Sequence, residues 1–359
     1  MAIRIGIVGA GNCASNLIQG LFYYKDVKSK GIIPGLMHPI LGGYKISDIK
    51  IVSAFDVDSR KVGKDLSEAI RQEPNNTVKI AEVPKLNVPV LKGTLFDGIG
   101  EYMTGIVNVD NKQEPVNVAK KLQDSGTEIL INFLPVGSEK ATRFYASEAL
   151  KAGCAFLNGM PAFIASDRKW ANMFTRAKIP IIGDDSKSQV GSTIIHRVLT
   201  KLCMNRGAVI DKTYQLNFGG NSDFLTMLER KRLKSKKISK TEAVQSQMTK
   251  KLPDEKIHIG PSDFVPWLES RKIAYIRIEG RLFGDVPFNI ETRLDVEDKA
   301  NSSGVLVDSI RCLKVALDRG IGGPLISASA YFCKHPPIQM SDDEARKKVE
   351  MFIDGKIER

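Results

Sequence analysis

The chain has 359 residues, 42% of them hydrophobic and 26% charged, with a formal net charge of +12. Those proportions exclude a disordered chain and leave room for about two domains with full cores. No run approaches the roughly 18 apolar residues of a membrane span, and the basic excess favours anionic partners.

The first residues read as a buried strand, a glycine turn and a helix. Ile3, Ile5, Ile7 and Val8 supply the strand; Leu17, Ile18, Leu21 and Phe22 form the apolar stripe of the helix. This apolar start reaches glycine too early for a signal peptide. GIIPGLMHPILGGY, residues 31–44, is rich in Gly and Pro and is expected to be an inserted loop. Buried strands are expected within 49–58, 126–139, 155–161 and 179–185, with helix-like stretches between them. Strands alternating with helices predict a doubly wound parallel sheet covered on both faces.

The pattern changes after about residue 210. Residues 272–284 and 286–298 alternate apolar and polar with no helix between them, which predicts an antiparallel sheet with one wet face. After NSSG the text turns helical again, and SDDEARKKVEMFIDG reads as a capped amphipathic helix. The expected fold class is α/β, a Rossmann-type doubly wound parallel sheet interrupted by an α+β domain. The expected division is 1–191, then 192–303, with 304–359 returning to the first domain. Cys13, Cys154, Cys203, Cys312 and Cys333 are scattered, and the four histidines lack metal-ligand spacing. Free thiols in a reduced, cytoplasmic compartment fit best, and a zinc site does not.

Gly9-Ala10-Gly11-Asn12-Cys13-Ala14 spells GxGxxA between the first strand and helix. The first glycine permits the tight turn, the second lets backbone approach a pyrophosphate, and the small third residue lets helix and strand pack. The helix N-terminus then faces the phosphates. A glycine turn needed only for packing is the competing reading. Asp56, ending the second strand, is the candidate ribose acid, and Asp58 is the second candidate; one of the two serving only as a helix cap is the competing reading. An acid there, rather than an arginine, points to NAD over NADP.

Arg230 to Lys240 holds seven basic residues, no acidic one and no aromatic. Without interleaved aromatics it lacks the stacking platforms of a single-strand nucleic-acid surface; a solvated face is the plain alternative. Ser239-Lys240-Thr241-Glu242 reads as a capping box, so a helix is expected to begin at Ser239. Lys240 would then stand in its first turn, where free N–H groups favour an anion. GDDSKSQVGST sets Asp184 and Asp185 at the carboxyl edge of the sheet, where open α/β sheets bind ligands. Asp185 reads equally as a helix N-cap. His196 is given no role.

GNCASNLIQG, GLMHP, FDVD, LPVGSE, IPIIGDDSKSQVGST, GGNSDFL, SKKISK, HIGPSD and NSSGVLVDSIR occur in one order. Together they resemble the myo-inositol-1-phosphate synthase family, in the compact form of archaea and some bacteria, from Ile3 to about Pro337. The resemblance implies an NAD-dependent isomerase, a homotetramer, that converts D-glucose 6-phosphate to 1L-myo-inositol 1-phosphate. In that family C5 is oxidised by hydride transfer to NAD⁺, an enolate at C6 attacks the C1 aldehyde, and the same hydride reduces the cyclic ketone. No nucleic acid or membrane takes part.

By residue match the resemblance assigns catalysis to Lys236, Lys240, Lys272, Lys334 and Asp184. Lys236 would lie nearest the reacting C5 hydroxyl, and Lys240 at the substrate phosphate. Cofactor contacts fall to Gly9, Gly11, Asn12, Cys13, Ala14, Asp56, Leu134, Pro135, Asp185, Ser188 and Asp298. Ser188 and Gln189 match phosphate-contacting positions, and Asn221 and Asp223 match positions that hold sugar hydroxyls. Asp298 matches a carboxylate near the nicotinamide that, in some members, also binds a divalent metal ion. Arg230, Lys231, Arg232, Lys234 and Lys237 are expected to be solvated. A sugar or polyol dehydrogenase on the same scaffold, which would release NADH, is the rival reading.

Overall fold

A computed structural model describes residues 2–27 and 31–359 of the chain. It runs β1 (Ile3–Val8), a hairpin β2–β3 (Ile40–Leu41 and Tyr44–Lys45), β4 (Ile49–Asp56), β5 (Val90–Lys92), β6 (Ile129–Asn132), β7 (Ala155–Asn158) and β8 (Pro180–Ile182). Four long strands follow, β9 (Val209–Gly219), β10 (Ile257–Phe264), β11 (Arg271–Arg281) and β12 (Pro287–Glu297), before the short β13 (Gly323–Pro324). Among the described residues no helix is long and apolar enough to cross a membrane.

The first sheet has the order β13-β8-β7-β6-β1-β4-β5, with every pairing parallel. Strands β6, β7 and β8 are buried along their whole length, as a parallel sheet covered on both faces requires. On one face Ile5, Ile131 and Leu157 pack against Leu306, Ile310 and Leu313 of the helix Ala300–Asp318. On the other, Phe55, Leu130 and Phe156 pack against Leu122, Ala146 and Phe174. The order turns at β1: β4 and β5 extend to one side, β6 to β8 to the other. Their carboxyl ends therefore open a crevice between β1 and β6, and the loops entering it begin at Gly9 and Phe133.

The second sheet has the order β10-β9-β11-β12. The two alternating runs become β11 and β12, which pair antiparallel, while β10 joins β9 in parallel. Ile276 and Ile278 of β11 face Cys203, with Ile195 and Leu199 packed beside them on the helix Ser192–Asn205. The other end of this layer leads into the helix Ala300–Asp318, which carries the chain back to the first sheet, where β13 pairs with β8. That single helix spans the expected boundary between 303 and 304.

The stretch 31–44 contains most of the short hairpin β2–β3, and a buried ionic knot ties it down. Arg311, fully buried, donates to Asp308, to the His38 carbonyl at 2.7 Å and to the Tyr44 carbonyl at 3.1 Å. His38 Nδ1 lies 2.6 Å from Asp308 Oδ2, and its Nε2 lies 3.0 Å from Glu350 Oε1. The hydrogen bond to Asp308 raises the His38 pKa above the ordinary histidine value; burial opposes this, and the charges of Asp308 and Glu350 add to it.

A histidine whose folded value is raised contributes stability in full below its unfolded value, near 6.5, and loses that contribution as pH rises through the folded value. His38→Gln is expected to cost about 1.5–3 kcal/mol near pH 6, the scale of a hydrogen bond to a charged group, and progressively less as pH rises through the folded value. Thermal melts across that range check it. A gap that does not change with pH would mean that ring shape, not charge, holds the knot.

Candidate active site

The glycine turn after β1 is shaped by two different demands. Gly9 has φ +90°, and a Cβ there would lie 3.1 Å from the Phe133 carbonyl oxygen. Left-handed backbone and close packing both call for glycine. Gly11 is the opposite case: a Cβ would meet nothing within 4 Å. No protein neighbour requires glycine at this position, which caps the helix Asn12–Tyr23 and leaves its first N–H groups without a side-chain partner. Bare backbone and a helix N-terminus facing a crevice are what a pyrophosphate needs. Ala14, fully buried, packs with Ile7, Ile18 and Leu66.

Both backbone polar groups of Ala10 are held from β4 and beyond. Its N–H donates to Asp56 Oδ2 at 2.8 Å, and its carbonyl accepts from Lys61 Nζ at 3.0 Å and Asn75 Nδ2 at 2.9 Å. Asp58, the second ribose candidate, is engaged by Arg60 through both carboxylate oxygens at 3.0 and 2.6 Å. The crevice above the turn contains about 1110 Å³ of unfilled space, counted out to solvent, and Asp56, Leu134 and Pro135 line it.

A second hollow adjoins it, sharing Cys13, Phe133, Asp223 and Lys299 as common wall. Five lysines, Lys236, Lys240, Lys272, Lys299 and Lys334, line it with three aspartates, Asp185, Asp223 and Asp298. The formal excess is two positive charges, the complement of a phosphate monoester dianion. The lysines come from widely separated segments: the helix Lys234–Gln245, the start of β11, the loop after β12, and the loop after the helix Ile326–Phe332.

That helix begins at Lys234 rather than at Ser239, which corrects the capping-box expectation. A 3₁₀ turn at Arg230–Leu233 feeds directly into it, so Ser239 lies in its interior. The Ser239 hydroxyl donates to Asp185 Oδ2 at 2.6 Å instead of capping, and Glu242 lies 3.0 Å from His335 Nδ1. Lys240 is therefore a mid-helix residue one turn beyond Lys236, and the two share a face because of that spacing. Arg230, Lys231, Lys234 and Lys237 are exposed. Arg232 departs from the solvated expectation: it is half-buried and donates to the Asp97 carbonyl at 3.1 Å and the Val136 carbonyl at 3.4 Å.

Asp185 is the hub. Its Oδ1 accepts from Lys236 and from Lys334, each at 2.9 Å, and its backbone carbonyl accepts the Lys334 N–H at 2.7 Å. It caps no helix, and its φ of 61° is an uncommon conformation for aspartate. Burial pushes its carboxyl up, but the charges of Lys236 and Lys334 and the Ser239 hydroxyl outweigh that and hold it well below the usual carboxylate range.

Asp184 was expected among the lysines and is not there. Its side chain turns into the protein and accepts from the Ile164, Ala165 and Ser166 amides, the Ser166 hydroxyl and Asn158. Burial raises its pKa against those bonds. Asp184 anchors the loop from which Asp185 projects.

Asp298 accepts from Lys272 at 3.3 Å, Lys299 at 3.2 Å and Asn221 at 3.4 Å. Burial opposes its ionisation, yet Lys272 and Lys299 hold it well below the usual range. Lys299, missed in the sequence, bridges Asp223 and Asp298 and reaches both hollows. Its one available signal was its place beside a candidate acid. With its carboxylate engaged by two ammonium groups, Asp298 does not fit a divalent-metal site. Among the described residues no three acidic, histidine or cysteine side chains group to hold a metal.

The substrate candidates divide. Ser188 lines the lysine hollow, its hydroxyl 3.2 Å from that of Ser302, as does Asp223. Gln189 lies outside it and donates to the Gly35 carbonyl at 3.1 Å. Asn221 is fully buried, and its Oδ1 caps the short helix Ser222–Thr226 by accepting the Asp223 N–H at 3.1 Å.

Lys240 differs from the other four lysines. It is 5% exposed and finds no hydrogen-bond or ion-pair partner among the described residues. Burial lowers its pKa well below the ordinary lysine value, and the charges of Lys272, Lys236 and Lys334 push the same way against Asp185. Burial also lowers Lys334, which Asp185 opposes and Lys236 supports, to about 8. The hollow can receive a dianion, face oxyanions with fixed cations and move a proton near neutral pH.

Comparison with known proteins adds the family. The family model described as myo-inositol-1-phosphate synthase matches residues 191–299, a span that includes four of the five lysines. Inositol-3-phosphate synthase of Mycolicibacterium smegmatis is 54% identical over 357 residues, covering 98% of each chain. That of Mycobacterium tuberculosis is 54% identical over 353 residues, covering 98% of this chain and 96% of its own. A solved myo-inositol-1-phosphate synthase-related protein from Thermotoga maritima superposes with TM-score 0.80 at 24% identity, over 99% of both chains, and so shares the fold. The chain belongs to the myo-inositol-1-phosphate synthase family of enzymes.

Proposed function

We propose that the chain isomerises D-glucose 6-phosphate to 1L-myo-inositol 1-phosphate with NAD bound in the β1–β6 crevice. The observation that carries this reading is the buried, unpartnered Lys240 in a hollow with two excess positive charges, opening onto a dinucleotide-type turn. The names of the relatives support inositol phosphate as the product class. We assign 1–191 to cofactor binding, 192–303 to catalysis and assembly, and 304–359 to closing the first domain. Val209, Leu282, Phe283 and Val286 stand exposed where β9 meets the β11–β12 turn, which supports assembly through that face, and we assign the homotetramer implied by the resemblance to it.

NAD, when bound, accepts and returns a hydride. Gly9, Gly11, Asp56, Leu134 and Pro135 are the residues that would hold it. The substrate is oxidised at C5, enolised at C6, closed by aldol addition to C1 and reduced again, so an alkoxide, an enolate and an aldolate oxygen appear in turn. Lys236, Lys272 and Lys334, fixed by Asp185 and Asp298, stabilise such charge without reorganising as it develops. Lys334, lowered to about 8, is suited to exchange a proton during enolisation. Lys240 takes the phosphate.

The reaction as proposed is redox-neutral. Glucose 6-phosphate should be consumed with catalytic NAD⁺, yielding inositol phosphate and no accumulating NADH. Product analysis with absorbance at the NADH band checks this; NADH rising in step with sugar consumed would favour the dehydrogenase reading.

The basic cluster provides the second test. Lys236→Ala should lower kcat by about 10²–10³, the usual effect of removing an oxyanion donor. Lys240→Ala should raise the KM for glucose 6-phosphate by about 10–100-fold, the equivalent of one charge-assisted bond. Lys231→Ala and Lys234→Ala, which remove the same charge from exposed positions, should change neither. Steady-state kinetics on the four variants distinguishes a built site from a diffuse patch, which would give four equal, modest losses.

A further inference from the structure

The helix Asn12–Tyr23 buries a polar face. Asn12, Asn16 and Gln19 recur at helical spacing and are 5%, 0% and 7% exposed. Buried amides are costly unless bonded, and a strap of chain at 75–81 bonds them in sequence. Asn76 pairs with Asn12, Thr77 with Asn16, and the Ile80 and Ala81 amides with Gln19 at 2.8 and 3.3 Å. One residue earlier, Asn75 holds the Ala10 carbonyl of the glycine turn.

Asn76 does more than complete the strap. Its backbone N–H donates to Asn12 Oδ1 at 2.9 Å, which fixes that oxygen as an acceptor. Asn12 Nδ2 must then be the donor to Asn76 Oδ1, also at 2.9 Å. Asn76 Nδ2 is thereby turned the other way, and it donates to the Gly220 carbonyl at 3.0 Å. Gly220 has no room to yield: a Cβ there would lie 2.5 Å from both the Glu269 nitrogen and the Val265 oxygen. The next residue, Asn221, caps the helix carrying Asp223 and reaches Asp298 at 3.4 Å. A chain of hydrogen bonds with fixed direction thus runs from the first turn of the dinucleotide-type helix to the acids that hold Lys272 and Lys299.

We propose that Asn76 is a positioning residue that couples occupancy of the Gly9–Ala14 turn to the geometry of the substrate-side loop 219–223. The proposal rests on the reading of those two hollows as cofactor and sugar-phosphate sites. A ligand seated on the turn restrains Asn12, Asn12 restrains Asn76, and Asn76 sets the Gly220 carbonyl from which Asn221 and Asp223 follow. Each ligand then favours the arrangement that the other needs, and the effect is reciprocal.

The test uses a pair that cannot react: NADH with glucitol 6-phosphate, a sugar alcohol with no carbonyl for the hydride to reduce. Affinity for glucitol 6-phosphate is measured by calorimetry with and without saturating NADH. In the unmodified protein NADH should tighten it by about tenfold or more, within the usual range of coupling. Asn76→Asp keeps the acceptor toward Asn12 but presents an oxygen to the Gly220 carbonyl. It should reduce the factor to below about threefold, with each ligand alone binding within about threefold of normal. Asn76→Ala should act likewise; if it loosens the strap, Asn76→Asp decides. A coupling factor retained in Asn76→Asp, or a loss confined to NADH affinity, overturns the proposal alone. Failure of the unmodified protein to bind either ligand overturns the functional reading, and the proposal with it.

Discussion

Five ammonium groups in one buried hollow repel one another, and the rest of the site is arranged around that fact. Each buried charge costs several kcal/mol unless it is paired and hydrogen-bonded. Asp185 and Asp298 meet this demand, each binding two lysines, and Asp223 shares Lys299. Asp185 in turn depends on Asp184, whose full set of hydrogen bonds anchors the loop. The pairing stops one lysine short. Lys240 is held among like charges with no partner of its own, which is unfavourable for an empty hollow and favourable for one that receives a dianion.

The fold exists to bring these groups together. No single segment could carry them, because lysines close in sequence on one helix face would spread along its length. The doubly wound sheet supplies Asp185 at its carboxyl edge and the glycine turn beside it. The second sheet sends Lys272 from the start of β11 opposite Asp298, just past the end of β12. The returning C-terminal segment adds Lys334, whose backbone pairs with Asp185. Arg197, fully buried, ties the helix of Lys236 and Lys240 to that segment through the Ala243 and Met340 carbonyls and Asp342.

Features written in local periodicity were legible in the sequence. The buried strands, the glycine turn and the alternating runs of β11 and β12 follow from residue patterns that water and packing read directly. Features set by tertiary contact were not. The S-x-x-E at Ser239 has the form of a cap, but the preceding 3₁₀ turn starts the helix earlier and frees that serine for Asp185. Of two adjacent aspartates, the one facing the lysines is decided by the local backbone, which a one-residue spacing cannot disclose. Gln189 and Asn221 resemble ligand-holding positions, yet each spends bonds on the fold. Lys299 carried almost no signal, because a lysine beside an aspartate is commonplace on any surface.

If Lys240 waits for a dianion, protons report it most directly. Burial and the neighbouring lysines disfavour the charged form of an empty, buried Lys240, holding its pKa well below the ordinary lysine value. A dianion beside it opposes that shift, so proton uptake on binding is the expected signature. Near pH 8 the sugar phosphate is already dianionic, its second pKa being about 6, and contributes no proton change of its own. Glucose 6-phosphate titrated calorimetrically without NAD, in buffers of different ionisation enthalpy, measures the uptake. The unmodified protein should show net proton uptake that shrinks sharply in Lys240→Met. Binding without proton uptake, or uptake unchanged in that variant, would contradict it.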